Sequence, residues 1–110
     1  MCVLERLNKL ISKGEIILQD AKNMEFCGEE SIWDARFHRE EVESIRDKWN
    51  REVLYFLEDE FGSHSAVYGN FRLNLHACCY TLKDEIKDLR NCLVVLHTER
   101  QHLHSQDALQ

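Results

Sequence analysis

The stretch LHACCYTLKDEIKDLRNCLVVLHTERQHL, residues 75–103, decides the fold class of this 110-residue chain. Apolar side chains recur in it at alternating intervals of four and three residues, the heptad pattern of a helix with one apolar side. The pattern predicts one continuous helix over about residues 70–104, capped at its start by Asn70. We call the positions on its apolar side the leucine seam: Leu75, Cys79, Leu82, Ile86, Leu89, Leu93, Leu96, Arg100 and Leu103.

Two further helices are predicted before the seam. The first covers about residues 2–23, where apolar side chains and Gly14 share one stripe at helical spacing. The second covers about residues 32–61 and ends at Gly62, because glycine readily adopts the left-handed conformation that closes a helix. Residues 63–69 are predicted to form a loop. The apolar stripe of the second helix supplies much of the expected core, at Phe37, Ile45, Trp49, Val53, Phe56 and Leu57.

The chain contains no proline, and this favours long uninterrupted helices. We expect one all-α domain over residues 1–110, folded as an antiparallel three-helix bundle with a long C-terminal heptad helix. A bundle of four helices is the alternative.

Composition and residue spacing limit the cellular location of the protein and the ligands that it could bind. No apolar run approaches the roughly 20 residues of a membrane-spanning helix, and the start, MCVLERLNKL, does not resemble a signal peptide. The cysteines lack C-x-x-C spacing and fit reduced thiols, and burial beside the seam should make Cys92 inert. The C-terminal histidines lack the spacing of a metal site. We therefore expect a cytoplasmic protein with no membrane contact, no bound metal and no small-molecule cofactor.

The formal net charge of −6 is unevenly distributed along the chain. Its acidic excess lies in residues 29–60, where eleven acidic residues outnumber five basic ones. Because phosphate binding requires basic side chains, a basic protein surface suits this segment better than nucleic acid does. The candidate partner-binding residues here are Glu40, Glu41 and Glu43. A protein that mimics nucleic acid and blocks a basic site is an alternative interpretation.

The leucine seam carries the main functional prediction. It is longer than the helices that could cover it inside a three-helix bundle, and an uncovered apolar side requires another surface. We therefore expect self-association or docking to a protein partner. The seam residues predicted to bind this partner are Leu82, Ile86, Leu89, Leu93 and Leu96.

Basic side chains follow one flank of the seam at intervals of seven residues: Lys83, Arg90, His97 and His104. Arg90-Asn91 followed by His97 resembles the R-x(4–6)-H signature of HEPN ribonucleases, which are small all-helical domains. The resemblance implies that Arg90 and His97 would meet across a dimer and cleave RNA without a metal ion. The histidine would move a proton from the ribose hydroxyl, and the arginine would stabilise the charged phosphorane.

A second resemblance covers roughly residues 1–75. WNREVLYFLEDEFGSHS, which begins at Trp49, and the later Tyr68 and Phe71 are similar to a "W…FL…FG..S…F" pattern. That pattern occurs in helical domains of many uncharacterised bacterial and archaeal proteins, some of them phage-defence components. The resemblance implies a helical interaction role, with no catalytic residue, for Trp49, Leu57, Phe61, Gly62 and Ser65.

These observations favour a non-enzymatic helical protein–protein interaction module. It would act as an accessory subunit, inhibitor or adaptor in a bacterial or phage defence-type system. The alternatives are a HEPN-like metal-independent ribonuclease or toxin, with RNA as its partner, and an acidic mimic of nucleic acid.

Overall fold

The computed structural model describes residues 2–26, 32–75 and 82–109, and all regular secondary structure in these ranges is α-helical. The helices there are α1 (Val3–Phe26), α2 (Ile32–Phe61), α3 (Ala66–Leu75) and α4 (Leu82–Leu109). The all-α prediction is confirmed. Within the described ranges, the helix count agrees with the four-helix alternative rather than with three helices.

The apolar periodicity locates the first two helices well. The bounds of α2 agree with the predicted 32–61, and α1 starts one residue after the predicted start. At its C-terminal end α1 continues to Phe26, three residues beyond the predicted end at 23. Helix α4 likewise continues to Leu109, past the predicted end at 104.

The prediction of one continuous helix over residues 70–104 is wrong. A helix rises 1.5 Å per residue, so a single helix would place Asn70 and His102 about 48 Å apart. In the structure both residues line one cavity between α3 and α4. The two helices are therefore separate and pack against each other. The seam residue Cys79 lies outside the described residues.

The turn between α2 and α3 explains where the third helix begins. Gly62 has a φ of 89°, and its N–H donates to the carbonyls of Leu57 (3.2 Å) and Glu58 (3.0 Å), so Gly62 closes α2 as predicted. The Ser65 hydroxyl donates to the Gly62 carbonyl (2.8 Å) and accepts from the Tyr68 N–H (3.3 Å). Ser65 therefore caps α3 in place of Asn70, and most of the predicted loop is helix.

Residues from all four helices share one main core. Leu18 packs against this core and also against a second cluster, formed by Ala21, Val42, Leu82 and Ile86. The side chain of Phe37, predicted to be in the core, lies outside the described residues. The buried residues of the main core are Leu7, Leu10, Ile11, Trp49, Val53, Phe56, Leu57, Val67, Phe71, Leu89, Cys92, Leu93 and Leu96.

Polar contacts at the rim of the core show which parts of the helices meet. Arg6 near the start of α1 pairs with Asp59 (3.1 Å) and Glu60 near the end of α2, and Lys13 pairs with Glu52 (3.2 Å). As the residue numbers rise along α1, the numbers of their partners in α2 fall. The same holds between α1 and α4, where Asn8 contacts Arg100 and the later Glu15 contacts His97.

Gly14 is the point of closest approach between α1 and the core. A Cβ atom at this position would lie 2.5 Å from Cζ2 of Trp49 and 2.8 Å from Cδ2 of Leu93. The indole cannot easily move away, because its Nε1–H donates to the Leu10 carbonyl at 2.8 Å. Glycine at position 14 therefore lets the Trp49 ring lie directly against the α1 backbone.

We predict that Gly14→Ala destabilises the protein by about 1–3 kcal/mol, because overpacking outweighs the gain of about 1 kcal/mol in helix propensity. Gly69→Ala is the matched control, since a Cβ there meets nothing within 4 Å. It should stabilise the protein by about 0.5–1 kcal/mol. Urea unfolding measures both free energies. Equal stabilisation by the two substitutions would contradict the close approach at Gly14.

Candidate functional site

The seam residues predicted to bind a partner are core residues. Leu89 and Leu96 are fully buried, and Leu82, Ile86 and Leu93 are 5% exposed or less. The prediction that these five lack partners within the chain is therefore wrong. Helix α3 adds Val67 and Phe71 to the core that contains Leu89, Leu93 and Leu96. Leu82 and Ile86 pack instead with Ala21 of α1 and Val42 of α2.

The acidic residues predicted to bind a partner lie in the N-terminal half of α2. Glu40 and Glu41 are exposed, whereas Glu43 is half-buried. Exposure is compatible with a docking role but does not select a basic partner. The role of this segment, including mimicry of nucleic acid, stays a prediction.

His97 is held between α1 and its own helix. Its Nε2 lies 3.0 Å from Oε1 of Glu15, and its Nδ1 lies 2.7 Å from Nη2 of Arg100. A guanidinium only donates hydrogen bonds, so Nδ1 accepts and we infer that Nε2 carries the proton donated to Glu15. Arg100 also donates to Oδ1 of Asn8 at 3.4 Å. This chain of contacts connects α4 to α1.

The same contacts bear on the ribonuclease alternative. A general base needs a free nitrogen lone pair, and His97 would gain one only by losing its contact with Arg100. Arg90 is exposed and lies about 10 Å from His97 along α4, at seven residues' distance. One copy of the chain does not bring the pair together, so HEPN-like catalysis stays a prediction that requires a dimer.

A buried ion pair between α2 and α4 was missed by the sequence analysis. Nη1 of Arg46 lies 2.5 Å from Oε2 of Glu85, and the two residues are 5% and 1% exposed. Asn50 and Asp88 are buried as well. Removing one partner of a buried pair typically costs about 3–5 kcal/mol, although the intact pair contributes little net stability. The pair therefore favours one alignment of α2 against α4.

Cys92 lies in the core beside these charges. Burial raises the pKa of its thiol to about 11, Asp88 acts in the same direction, and Arg46 opposes the shift. Since the thiolate is the nucleophile, Cys92 is unreactive near neutral pH. This agrees with the expectation of an inert thiol. Cys2 is a free, exposed thiol, whereas Cys27, Cys78 and Cys79 lie outside the described residues.

We predict that iodoacetamide at pH 8 alkylates Cys2 in the folded protein and leaves Cys92 unmodified until denaturant is added. Peptide mapping by mass spectrometry distinguishes the two sites. The ordinary pKa of a thiol is 9.0, below the value of about 11 for Cys92 in the folded protein. As the pH rises, Cys92 therefore loses its proton in the unfolded chain before it does so in the folded protein. Stability owed to the protonated Cys92 is complete below pH 9 and is lost towards pH 11. Rapid alkylation of Cys92 in the native state would contradict its burial.

An apolar exposed surface lies between α1 and α2. Ile16 is 62% exposed, and Ile45, which was predicted to be in the core, is 45% exposed. Two depressions of about 240 and 250 Å³ adjoin here and share Ile17 and Ile45. We call this surface the α1–α2 face and define it by Lys13, Ile16, Ile17, Asp20, Glu41, Ile45 and Lys48.

A second groove of about 490 Å³ lies between α3 and α4. Its exposed apolar residues are Leu73 (74%) and Val94 (56%). Polar side chains also line it, and two of them bond to backbone carbonyls within their own helices: Asn74 to Asn70 and Thr98 to Val94. This groove is larger than either depression of the α1–α2 face and more polar in character.

Two kinds of site are absent from the described ranges. No group of three or more His, Cys, Asp or Glu residues there could hold a metal ion. Within the same ranges, no helix is both long enough and apolar enough to cross a membrane.

Comparison with known proteins returns no match, whether against family models, curated proteins or solved structures. The two resemblances therefore stay predictions that rest on their own residues.

Proposed function

We propose that this protein is a non-enzymatic helical interaction module, acting as an accessory subunit, inhibitor or adaptor that binds protein through the α1–α2 face. The observation that carries the proposal is the exposure of Ile16 and Ile45 on adjacent helices, beside two apolar depressions. This surface takes over the role that the sequence analysis assigned to the leucine seam.

The proposal includes the arrangement of the helices. We propose an antiparallel four-helix bundle, in which α1 runs opposite to both α2 and α4. The support is the order of the rim contacts, in which partner numbers fall in α2 and α4 as they rise in α1. In such a bundle the outer surfaces of α1 and α2 form one continuous strip.

The chemistry of the α1–α2 face supports binding. Fully burying an isoleucine side chain contributes about 1.5–3 kcal/mol, so covering two half-exposed ones would contribute about 1 kcal/mol each. Charged side chains of Lys13, Lys48, Asp20 and Glu41 border this apolar centre. An apolar centre within a polar rim is the usual anatomy of a protein interface.

Three titratable side chains in the described ranges support a non-enzymatic role. Cys92 is buried and protonated near neutral pH, and both ring nitrogens of His97 are in hydrogen-bond contact. Glu85 is paired with Arg46 inside the core. These three groups make contacts within the bundle, and none of them lines either depression of the α1–α2 face.

We predict that a photo-crosslinking amino acid at position 16 of the full chain forms a discrete crosslinked protein species in cells of the source organism. The matched control is position 73, which is more exposed but lies in the α3–α4 groove. Adding Ile45→Glu should abolish the position-16 product, because a charge would disrupt the apolar centre.

Both a self-crosslink and a crosslink to another protein support the proposed function. Crosslinking at position 73 with none at position 16 would contradict it and would move the binding surface to the α3–α4 groove. Denaturing gel electrophoresis with mass spectrometry identifies the products.

A further inference from the structure

We propose that the α1–α2 face binds a second copy of this chain across a two-fold axis. This inference rests on the proposed function and adds the identity of the partner. It is carried by the distribution of charge around the exposed isoleucines. A two-fold interface uses the same surface on both copies, so that surface must be complementary to itself.

The two ends of the α1–α2 face carry opposite charge. Lys13 and Lys48 line one depression together with Glu52, which pairs with Lys13 at 3.2 Å. Asp20 and Glu41 line the other depression. The first end therefore carries one net positive charge, and the second end carries two negative charges.

The spacing of these charges is the same on both helices. Asp20 follows Lys13 by seven residues in α1, and Lys48 follows Glu41 by seven residues in α2. Seven residues are two helical turns, or about 10.5 Å along the axis. The lysine comes first in α1 and last in α2. Because Lys13 and Lys48 line the same depression, the two basic residues lie at one end of the face and the two acidic residues at the other.

The apolar residues lie at the midpoint of this pattern. Ile16 and Ile17 fall midway between Lys13 and Asp20, and Ile45 falls midway between Glu41 and Lys48. Consider a two-fold axis that passes through this midpoint, lies in the interface and runs perpendicular to the helices. It would place the basic end of each copy over the acidic end of the other. It would also bring the exposed Ile16 and Ile45 side chains of both copies together at the centre.

This symmetry favours a second copy over an unrelated partner. Binding to an unrelated protein requires only that the charges of that protein match those of the face in one orientation. It does not require the isoleucines to lie midway between the charges. Self-complementarity requires opposite charges equidistant from an apolar centre, as found here. The face spans about two helical turns, which is small for a permanent dimer, so we expect reversible dimerisation at micromolar or higher concentration.

The test measures the mass of the full chain by sedimentation equilibrium between about 10 and 500 µM, a range suited to an interface of this size. Wild-type protein should dimerise as the concentration rises. Lys13→Glu/Lys48→Glu makes both ends acidic, and Asp20→Lys/Glu41→Lys makes both ends basic. Each variant alone should dimerise at least about tenfold more weakly, because like charges then meet at both ends.

An equimolar mixture of the two variants is the decisive sample. Its acidic face matches its basic face at both ends, so a heterodimer should form with near wild-type affinity. Simple misfolding of a variant would not give this recovery, and circular dichroism checks the helical content of each. Lys83 and Lys87 are exposed on α4, away from the face. The control variant Lys83→Glu/Lys87→Glu changes the net charge by the same amount as Lys13→Glu/Lys48→Glu and should leave dimerisation unchanged.

The outcomes separate this inference from the proposed function. Wild-type protein that stays monomeric throughout, or a dimer that both double variants leave intact, overturns the second-copy inference. A mixture that fails to recover the dimer overturns it as well. If position 16 still crosslinks to a different protein in these cases, the proposed function stands. If position 16 crosslinks to nothing, both fall.

Discussion

The contact between the Trp49 indole and the backbone of α1 is the constraint on which the rest of the structure depends. The indole N–H reaches the Leu10 carbonyl because Gly14, one turn later, has no side chain to hold the ring away. The ring also meets the edge of Phe71 in α3, at 5.9 Å between centroids. Leu93 of α4 lies against the same glycine. Trp49 of α2 thus contacts both α1 and α3 here, and Leu93 of α4 reaches the same point of α1.

The consequences reach the surface. Because α1, α2 and α3 pack over α4, the apolar seam is buried inside the molecule, at Leu89, Leu93 and Leu96 among others. The close α1–α2 contact at Trp49 leaves Ile16 and Ile45 pointing outward beside it. The surface that we propose for partner binding therefore lies where the helix pattern alone predicts either a solvated side or a core position. In this proposal, folding and binding use different apolar residues.

Much of the fold follows from the sequence, because a helix buries residues at a period that can be read locally. This gives the bounds of α2, the cap at Gly62 and the apolar side of α4, but not the finding that other helices of the same chain cover that side. The separate helix α3 does not follow, because the apolar pattern continues from Leu75 to Leu82 and periodicity contains no information on where a chain reverses. The buried Arg46 and Glu85 were missed because charged residues are usually exposed, and only the packing of α2 on α4 makes them partners. The exposure of Ile45 was missed as well, because it depends on how the helices pack and not on the local pattern.

Hydrogen exchange of the Trp49 indole N–H, followed by NMR in increasing denaturant, tests the central contact most directly. If this bond holds the four helices together, the indole N–H should exchange only when the whole protein unfolds. Its exchange free energy would then equal the global unfolding free energy and would fall with denaturant at the same slope. Fast exchange that does not depend on denaturant would show that the ring leaves α1 by local motion, and it would contradict the account.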